Sequence, residues 1–184
     1  MKRIFDLTLA LIGLPIVVPA ILVCAMAIRW TSRGPAIFRQ TRVGLHEQPF
    51  TCLKLRTMYA DTRDAPSHET SASAVTPIGY WLRRLKLDEL PQLWNIVLGE
   101  MSFVGPRPCL PAQTELIAAR RERNLYGIRP GITGVAQVAG IDMSDPQRLA
   151  AADAAYLKDM SIAADLRLIL ATALGAGRGD RVGQ

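Results

Sequence analysis

Two adjacent carboxylates, Asp88 and Glu89, lie in RRLKLDELPQLWNIVLGEMSFVGPRP, residues 83–108, with basic side chains on both sides. An ionised carboxylate can attack phosphorus or hold a hard divalent cation, and guanidinium groups offer planar forks of donors to phosphate oxygens. The residue types together therefore suit phosphate chemistry. Leu90, Leu93, Trp94 and Val97 fall at i, i+3, i+4 and i+7, which predicts a helix over about 89–98 with that face buried and Gly99 at its stop. Asp88 is then close to the N-cap, where free backbone N–H groups and the helix dipole keep it ionised. Pro91 falls in the first turn, where it costs no intrahelical bond. Taken alone, the two carboxylates read better as an ordinary helix cap with solvated charges. The surrounding cations and the apolar N-terminus weigh toward phosphate.

The elements that must position this pair are legible nearby. Thr76 followed by Pro77 predicts the start of a second helix with Ile78, Trp81, Leu82 and Leu85 as its apolar stripe, and that helix would carry Arg83, Arg84 and Lys86 to the same corner. Ala36–Val43 and Phe50–Thr57 read as two strands of a hairpin joined by residues 44–48, with Lys54 and Arg56 on one face. In Gly105-Pro106-Arg107-Pro108 the prolines restrict the backbone around Arg107, so its guanidinium can be aimed with little entropy left to lose. In Arg129-Pro130-Gly131-Ile132-Thr133-Gly134 the glycines allow backbone N–H groups to converge on an anion, or simply form a turn. Residues 60–75 read as a polar loop or lid, residues 146–159 and 162–174 as helices, and residues 175–184 as a fraying tail in which Arg178-Gly179-Asp180 is a chance triplet. Ile162, Leu166, Ile169 and Leu170 give the last helix a broad apolar face, for a core or a membrane surface.

Composition narrows the setting. The chain has 184 residues, 49% of them hydrophobic, and a net charge of +6. Residues 7–28 carry no charge, which is long enough to cross a bilayer. Lys2 and Arg3 precede the run and Arg29 and Arg33 follow it, so the positive-inside rule asks for both ends on the cytoplasmic side. Pro15 and Pro19 break the run, and the expectation is a kinked helix that enters one leaflet and returns. A cleaved signal is disfavoured by Asp6 and by the run's length, and a lipoprotein signal by Val23 ahead of Cys24. Basic clusters suit anionic headgroups and phosphorylated substrates. With 6% aromatic residues and no nucleic-acid-binding pattern, nucleic acid is not an expected partner. Three scattered cysteines argue against a disulfide framework or zinc site, and two histidines give little support to a histidine-backed nucleophile. No phosphate-loop or dinucleotide glycine motif occurs.

The ordered motifs KRIFD at 2–6, QTRVG at 40–44, LKLRTM at 53–58, the block from Leu87 to Pro108, RPGITGVAQV at 129–138 and the stretch from Tyr156 to Asp165 resemble the monotopic phosphoglycosyl transferases, or bacterial sugar transferases, over nearly the whole chain. The resemblance implies transfer of a sugar 1-phosphate from a UDP-sugar to a polyprenyl phosphate such as undecaprenyl phosphate, with release of UMP, as the first membrane step of a bacterial surface glycan. It implies Asp88 as nucleophile through a covalent phosphosugar-aspartate, Glu89 as its helper, both as ligands of Mg2+, and Lys54, Arg56, Arg83, Arg107, Arg129, Thr133 and Gln137 as substrate-binding residues. The implied fold is α+β and membrane-associated. It comprises a reentrant helix-break-helix over 1–30 bent at Pro15 and Pro19, then a cytoplasmic catalytic part over 31–174 with a small sheet and amphipathic surface helices, all one domain over 1–184. Many members carry Ser-Pro at the bend where this chain has Val18-Pro19. The location implied is the bacterial inner membrane with the catalytic part facing the cytoplasm, and anionic lipids and a second copy of the chain are expected partners. The rival expectation is a non-enzymatic membrane-surface module for anionic lipid or nucleic acid, which would gain nothing from a carboxylate pair amid its cations.

Overall fold

A 30-residue helix, α1 (Lys2–Thr31), opens the chain in the computed structural model, which describes residues 1–62 and 72–177. Most of the loop expected over 60–75 and of the tail expected over 175–184, including Arg178-Gly179-Asp180, lies outside the described residues. After α1 come the antiparallel hairpin of β1 (Ile37–Val43) and β2 (Pro49–Leu55), then α2 (Pro77–Arg84) and α3 (Gln92–Leu98). A short strand β3 (Ser102–Val104) pairs in parallel with β4 (Gly131–Thr133) across the intervening helix α4 (Thr114–Glu122). The chain closes with α5 (Val135–Val138), α6 (Pro146–Lys158) and α7 (Ile162–Ala173).

Along α1 the apolar side faces outward. Ile4, Leu11, Ile12, Ile16, Leu22 and Val23 are exposed, and the helix has mean hydropathy 2.7 over its most apolar window, enough by length and composition to cross a membrane. Its other side packs on the rest of the protein from end to end. Near the start, Ala10 joins Cys52, Leu93, Ile96 and Met101 in one core cluster; near the end, Ile28 joins Ala36, Leu55 and Leu82 in another. The helix runs without interruption through Pro15 and Pro19, both on its exposed side, so the expected stop in helical structure is not present. A proline removes one hydrogen bond and presses on the preceding turn, which bends a helix without ending it.

Polar groups lock the first turn of α1. Lys2 donates to Asp165 on α7 at 2.6 Å, and Arg3 donates to the carbonyls of Ile96 and Val97 at the C-terminus of α3, where the helix dipole favours a cation. Asp6, 2% exposed, accepts from the Ser102 hydroxyl and the Phe103 N–H of β3. The KRIFD motif is thus a bolt between the first helix and three later elements.

The hairpin matches its sequence expectation, with Leu45–Glu47 as a tight turn in which His46 and Glu47 both take left-handed φ. Thr76 caps α2 by accepting from the Gly79 N–H, also as expected. The predicted helix over 89–98 is instead a 3-10 turn at Leu87–Glu89 followed by α3, so Pro91, not Asp88, stands just ahead of α3. Its buried face is also rotated from the expectation: Leu93 and Ile96 are inside, whereas Trp94 is 52% exposed. The cause is Asn95, whose side chain accepts from Leu53 N–H and donates to Thr51 O and Glu100, fastening α3 to β2. A buried amide with all these partners outweighs one more apolar contact. On α2, Leu82 alone of the expected stripe is fully buried, while Trp81 and Leu85 face outward. Helix α4 and the parallel β3–β4 pair have no counterpart in the sequence reading.

Candidate active site

Asp88 and Glu89 ride on the 3-10 turn that follows Lys86, a residue with left-handed φ of 57°. Asp88 is buried at 6% exposure, which for a carboxylate demands compensation from its surroundings. Glu89 is the meeting point of two cations from distant parts of the chain. Its Oε1 accepts from Lys54 Nζ on β2 at 3.2 Å and from Arg107 Nη2 at 2.6 Å. Lys54 comes from the hairpin, whose β2 is fastened to α3 by Asn95 through the Leu53 N–H and the Thr51 carbonyl.

Arg107 is aimed by a backbone clamp. Four consecutive carbonyls of its loop each accept a donor from a different place: Pro106 O from Gly131 N–H, Arg107 O from Arg120 Nη1 at 2.7 Å, Pro108 O from Arg42 Nη1 at 2.9 Å, and Cys109 O from Val43 N–H. Arg120 is itself held by Asp153 of α6 at 2.7 Å, an ion pair with both side chains almost wholly buried. Burial pushes the Asp153 carboxyl up, and Arg120 pulls it back down. Gly105 and Gly131 allow this loop to exist. A Cβ on Gly105 would stand 2.3 Å from Arg129 O, and one on Gly131 would stand 2.1 Å from Gly105 N. Gly131 and Gly134 therefore serve close backbone packing, and the Gly131 N–H is engaged by Pro106 O.

The other expected site residues divide. Arg83, brought in by α2, donates from Nε to Thr57 Oγ1 at 2.8 Å, and its Nη1 is buried with no hydrogen-bond partner among the described residues. Gly79 makes that placement possible, because a Cβ there would lie 2.0 Å from Thr57 O. Arg56 is fixed in another direction: its guanidinium donates to the carbonyls of Ser32 and Arg33 and to the Ser32 hydroxyl, closing the turn after α1. Arg129 donates to Gly99 O at 2.7 Å, Thr133 shares a hydrogen bond with Thr172 of α7, and Gln137 donates to Ile132 O. Described contacts thus join Lys54, Arg107 and Glu89 directly, whereas Arg56, Arg129, Thr133 and Gln137 bond to neighbouring backbone or to α7. Pro15 and Pro19 lie in α1, apart from this cluster in their role.

Lys86 was read only as one of several neighbouring cations. Its Nζ reaches the C-terminus of α7, donating to Thr172 O at 3.3 Å and Ala176 O at 2.7 Å. Burial lowers its pKa, with Glu89 opposing that shift and Arg107 adding to it. Cys52 lies near the same cations, yet burial raises its thiol pKa and outweighs their pull, so it is poorly suited to be a nucleophile. Arg42 entered the sequence reading only within a basic cluster and the QTRVG motif, and Arg120 and Asp153 escaped it, since nothing local ties residues that meet only through tertiary packing.

Among the described residues no group of three or more His, Cys, Asp or Glu side chains could enclose a metal ion. Asp88 and Glu89 nonetheless fit magnesium, which uses one or two protein carboxylates and completes its octahedron with water and substrate phosphate oxygens.

The family model for bacterial sugar transferases matches residues 1–178. The chain is 41% identical over 181 residues to a UDP-glucose:undecaprenyl-phosphate glucose-1-phosphate transferase of Caulobacter vibrioides, an alignment covering 93% of this chain and 67% of that protein. It is 40% identical to an undecaprenyl-phosphate glucose phosphotransferase of Komagataeibacter xylinus, covering 93% of this chain and 35% of the relative. It is 32% identical to a UDP-galactose-lipid carrier transferase of Erwinia amylovora, covering 94% and 39% respectively. The chain therefore spans about two thirds of the first of these relatives and little more than a third of the other two.

Proposed function

The chain belongs to the bacterial sugar transferase family, and on that premise we propose that it transfers a sugar 1-phosphate from a UDP-sugar to undecaprenyl phosphate, releasing UMP. The observation that carries this reading is the convergence of Lys54 and Arg107 on Glu89 beside the buried Asp88. A pure anion binder would gain nothing from two carboxylates set among its cations. The relatives' names carry both glucose and galactose, so the sugar stays open.

In this reading an Asp88 carboxylate oxygen attacks the β-phosphorus of the UDP-sugar. The Asp88–phosphorus bond forms as the bond from that phosphorus to the bridging oxygen breaks, and UMP leaves with the electron pair. An oxygen of the lipid phosphate then attacks the same phosphorus and displaces Asp88, giving the polyprenyl diphosphate sugar. Asp88 and Glu89 would hold Mg2+, which would supply charge neutralisation for the diphosphate. Arg107, aimed by its clamped loop, and Arg83, with a buried donor to spare, bind phosphate oxygens, for which their planar forks are suited. Lys54 screens Glu89 until substrate arrives.

The membrane arrangement follows from α1. Its first turn is bolted to β3, α3 and α7, and its last turn packs against Leu55 and Leu82 of the same body. Both contacts favour a helix that dips into one leaflet with both ends on the cytoplasmic side of the inner membrane, over one that spans it.

The test is mass spectrometry of the protein after incubation with UDP-sugar and magnesium, without lipid phosphate. A sugar-phosphate adduct on the Asp88 peptide, absent in Asp88→Asn together with a loss of UMP release by orders of magnitude, is expected. Asp88→Asn turning over at the wild-type rate would remove Asp88 from the chemistry.

A further inference from the structure

The turn that carries Asp88 and Glu89 is tied at one point to the last helix. Lys86 immediately precedes it, and the Lys86 ammonium ends on the carbonyls of Thr172, in the last turn of α7, and of Ala176, just past its end. A cation there is doubly favoured, by direct hydrogen bonds and by the negative end of the helix dipole. The backbone supports the same arrangement. A left-handed φ is unfavourable for lysine and persists where the surroundings enforce it, and the grip on α7 is such a constraint.

Helix α7 is seated on the protein by one side. Asp165, 1% exposed, receives Lys2 and the Tyr156 hydroxyl, and Thr172 meets Thr133. The opposite side presents Ile162, Leu166, Leu170 and Leu174 in steps of four residues, exposed at 41%, 44%, 60% and 87%. Lys2, at the head of the apolar helix α1, bonds Asp165 of α7, which sets α7 beside the helix proposed above to meet lipid. A change in how α7 beds into lipid would shift the carbonyls that Lys86 holds.

We propose that Lys86 is a positioning residue that couples the seating of α7 at the membrane to the placement of the Asp88–Glu89 turn. The inference rests on the proposed role of those two carboxylates and adds to it a route by which lipid contact sets their geometry. Lys86 touches no reacting atom in this scheme. It fixes where the turn begins, and a shift on the order of 1 Å in a reacting group can cost about a hundredfold in rate.

The experiment compares the full chain with Lys86→Met and Lys86→Arg in nanodiscs of phosphatidylethanolamine and phosphatidylglycerol, with UMP release and hydrogen exchange as readouts. Lys86→Met should lower kcat roughly tenfold or more with KM for the UDP-sugar changed less than about twofold, and Lys86→Arg should recover most of the loss. Amides of residues 87–90 should exchange faster in Lys86→Met alone. Combining Lys86→Met with Leu170→Ser and Leu174→Ser should give a loss smaller than the product of the separate losses, the signature of a shared route. A raised KM with unchanged kcat would make Lys86 a direct substrate ligand and overturn the proposal, as would unchanged exchange at 87–90 or independent losses. The exchange readout needs no turnover, so a wild-type chain that releases no UMP would defeat the functional reading while the coupling is still decided.

Discussion

Replacing Gly105 by alanine tests the idea that two glycine-dependent backbone contacts aim Arg107. The added methyl would sit 2.3 Å from Arg129 O, 3.0 Å from Gly131 N and 3.2 Å from the Pro130 carbonyl carbon, whereas ordinary contact begins near 3.4 Å. All three neighbours are backbone, so no side chain can swing aside. The strands β3 and β4 must part by roughly 1 Å, a change that close-packed interiors resist and that overpacking series place at about 1–3 kcal/mol. The functional cost should be larger in proportion, because parting the strands stretches the Gly131 N–H to Pro106 O and Gly105 N–H to Thr133 O bonds that set the Arg107 loop. An aiming error of that size corresponds to about a hundredfold in rate. The assay is UMP release from the protein in nanodiscs alongside a urea melt in micelles. Gly127→Ala is the control, since nothing lies within 4 Å of a Cβ there, and its stability should stay within about 0.5 kcal/mol of wild type. Wild-type turnover in Gly105→Ala, or equal losses in both variants, would refute the reasoning.

Two further outcomes follow from buried charge and from topology. Arg120→Met leaves Asp153 without its cation and should cost about 3–5 kcal/mol at neutral pH, while Arg120→Met with Asp153→Leu should recover most of it. Burial already raises the Asp153 carboxyl above the ordinary aspartate range, so the folded form of Arg120→Met holds a proton the unfolded chain gives up, and stability should fall as pH rises from about 4. A pH-independent deficit in urea melts between pH 5 and 8 would contradict this. With the three native cysteines replaced, single cysteines placed ahead of Met1 and at the exposed Glu122 should both resist an impermeant thiol reagent applied outside cells. Labelling at the N-terminus alone would mean that α1 spans the bilayer.

What the sequence could disclose followed the range of the interactions involved. The hairpin, the Thr76 cap, α6 and α7 rest on local patterns, and all were legible. The rotation of α3 was not, because Trp94 and Leu93 are equally apolar on paper and only Asn95's partners on β2 decide which faces inward. At the site, Glu89 with Lys54 and Arg107 could be suspected from residue types and the family resemblance. Arg56 shows the limit: its strand alternation fits Lys54, yet the chain leaves β2 at Leu55 and the guanidinium turns to the end of α1. Arg42, Arg120 and Asp153 hold the Arg107 loop through contacts spanning tens of residues, for which no local signal exists.

The bolt at the first turn of α1 has a consequence for biosynthesis. Lys2 is made well before its partner Asp165, which follows 163 positions later, and Asp6 well before Ser102, which follows 96 positions later. Until those partners are made, Asp6 and the cations beside it lack them, and an uncompensated charge disfavours entry of the start of the helix into hydrocarbon. In the membrane arrangement proposed above, the nascent helix would be held at the interface by the same groups that later fasten it to the finished protein. The Lys2 contact with Asp165 of α7 then adds a restraint from the protein itself, so a ribosome-stalled chain lacking α7 should insert in the same orientation but extract from the membrane more readily.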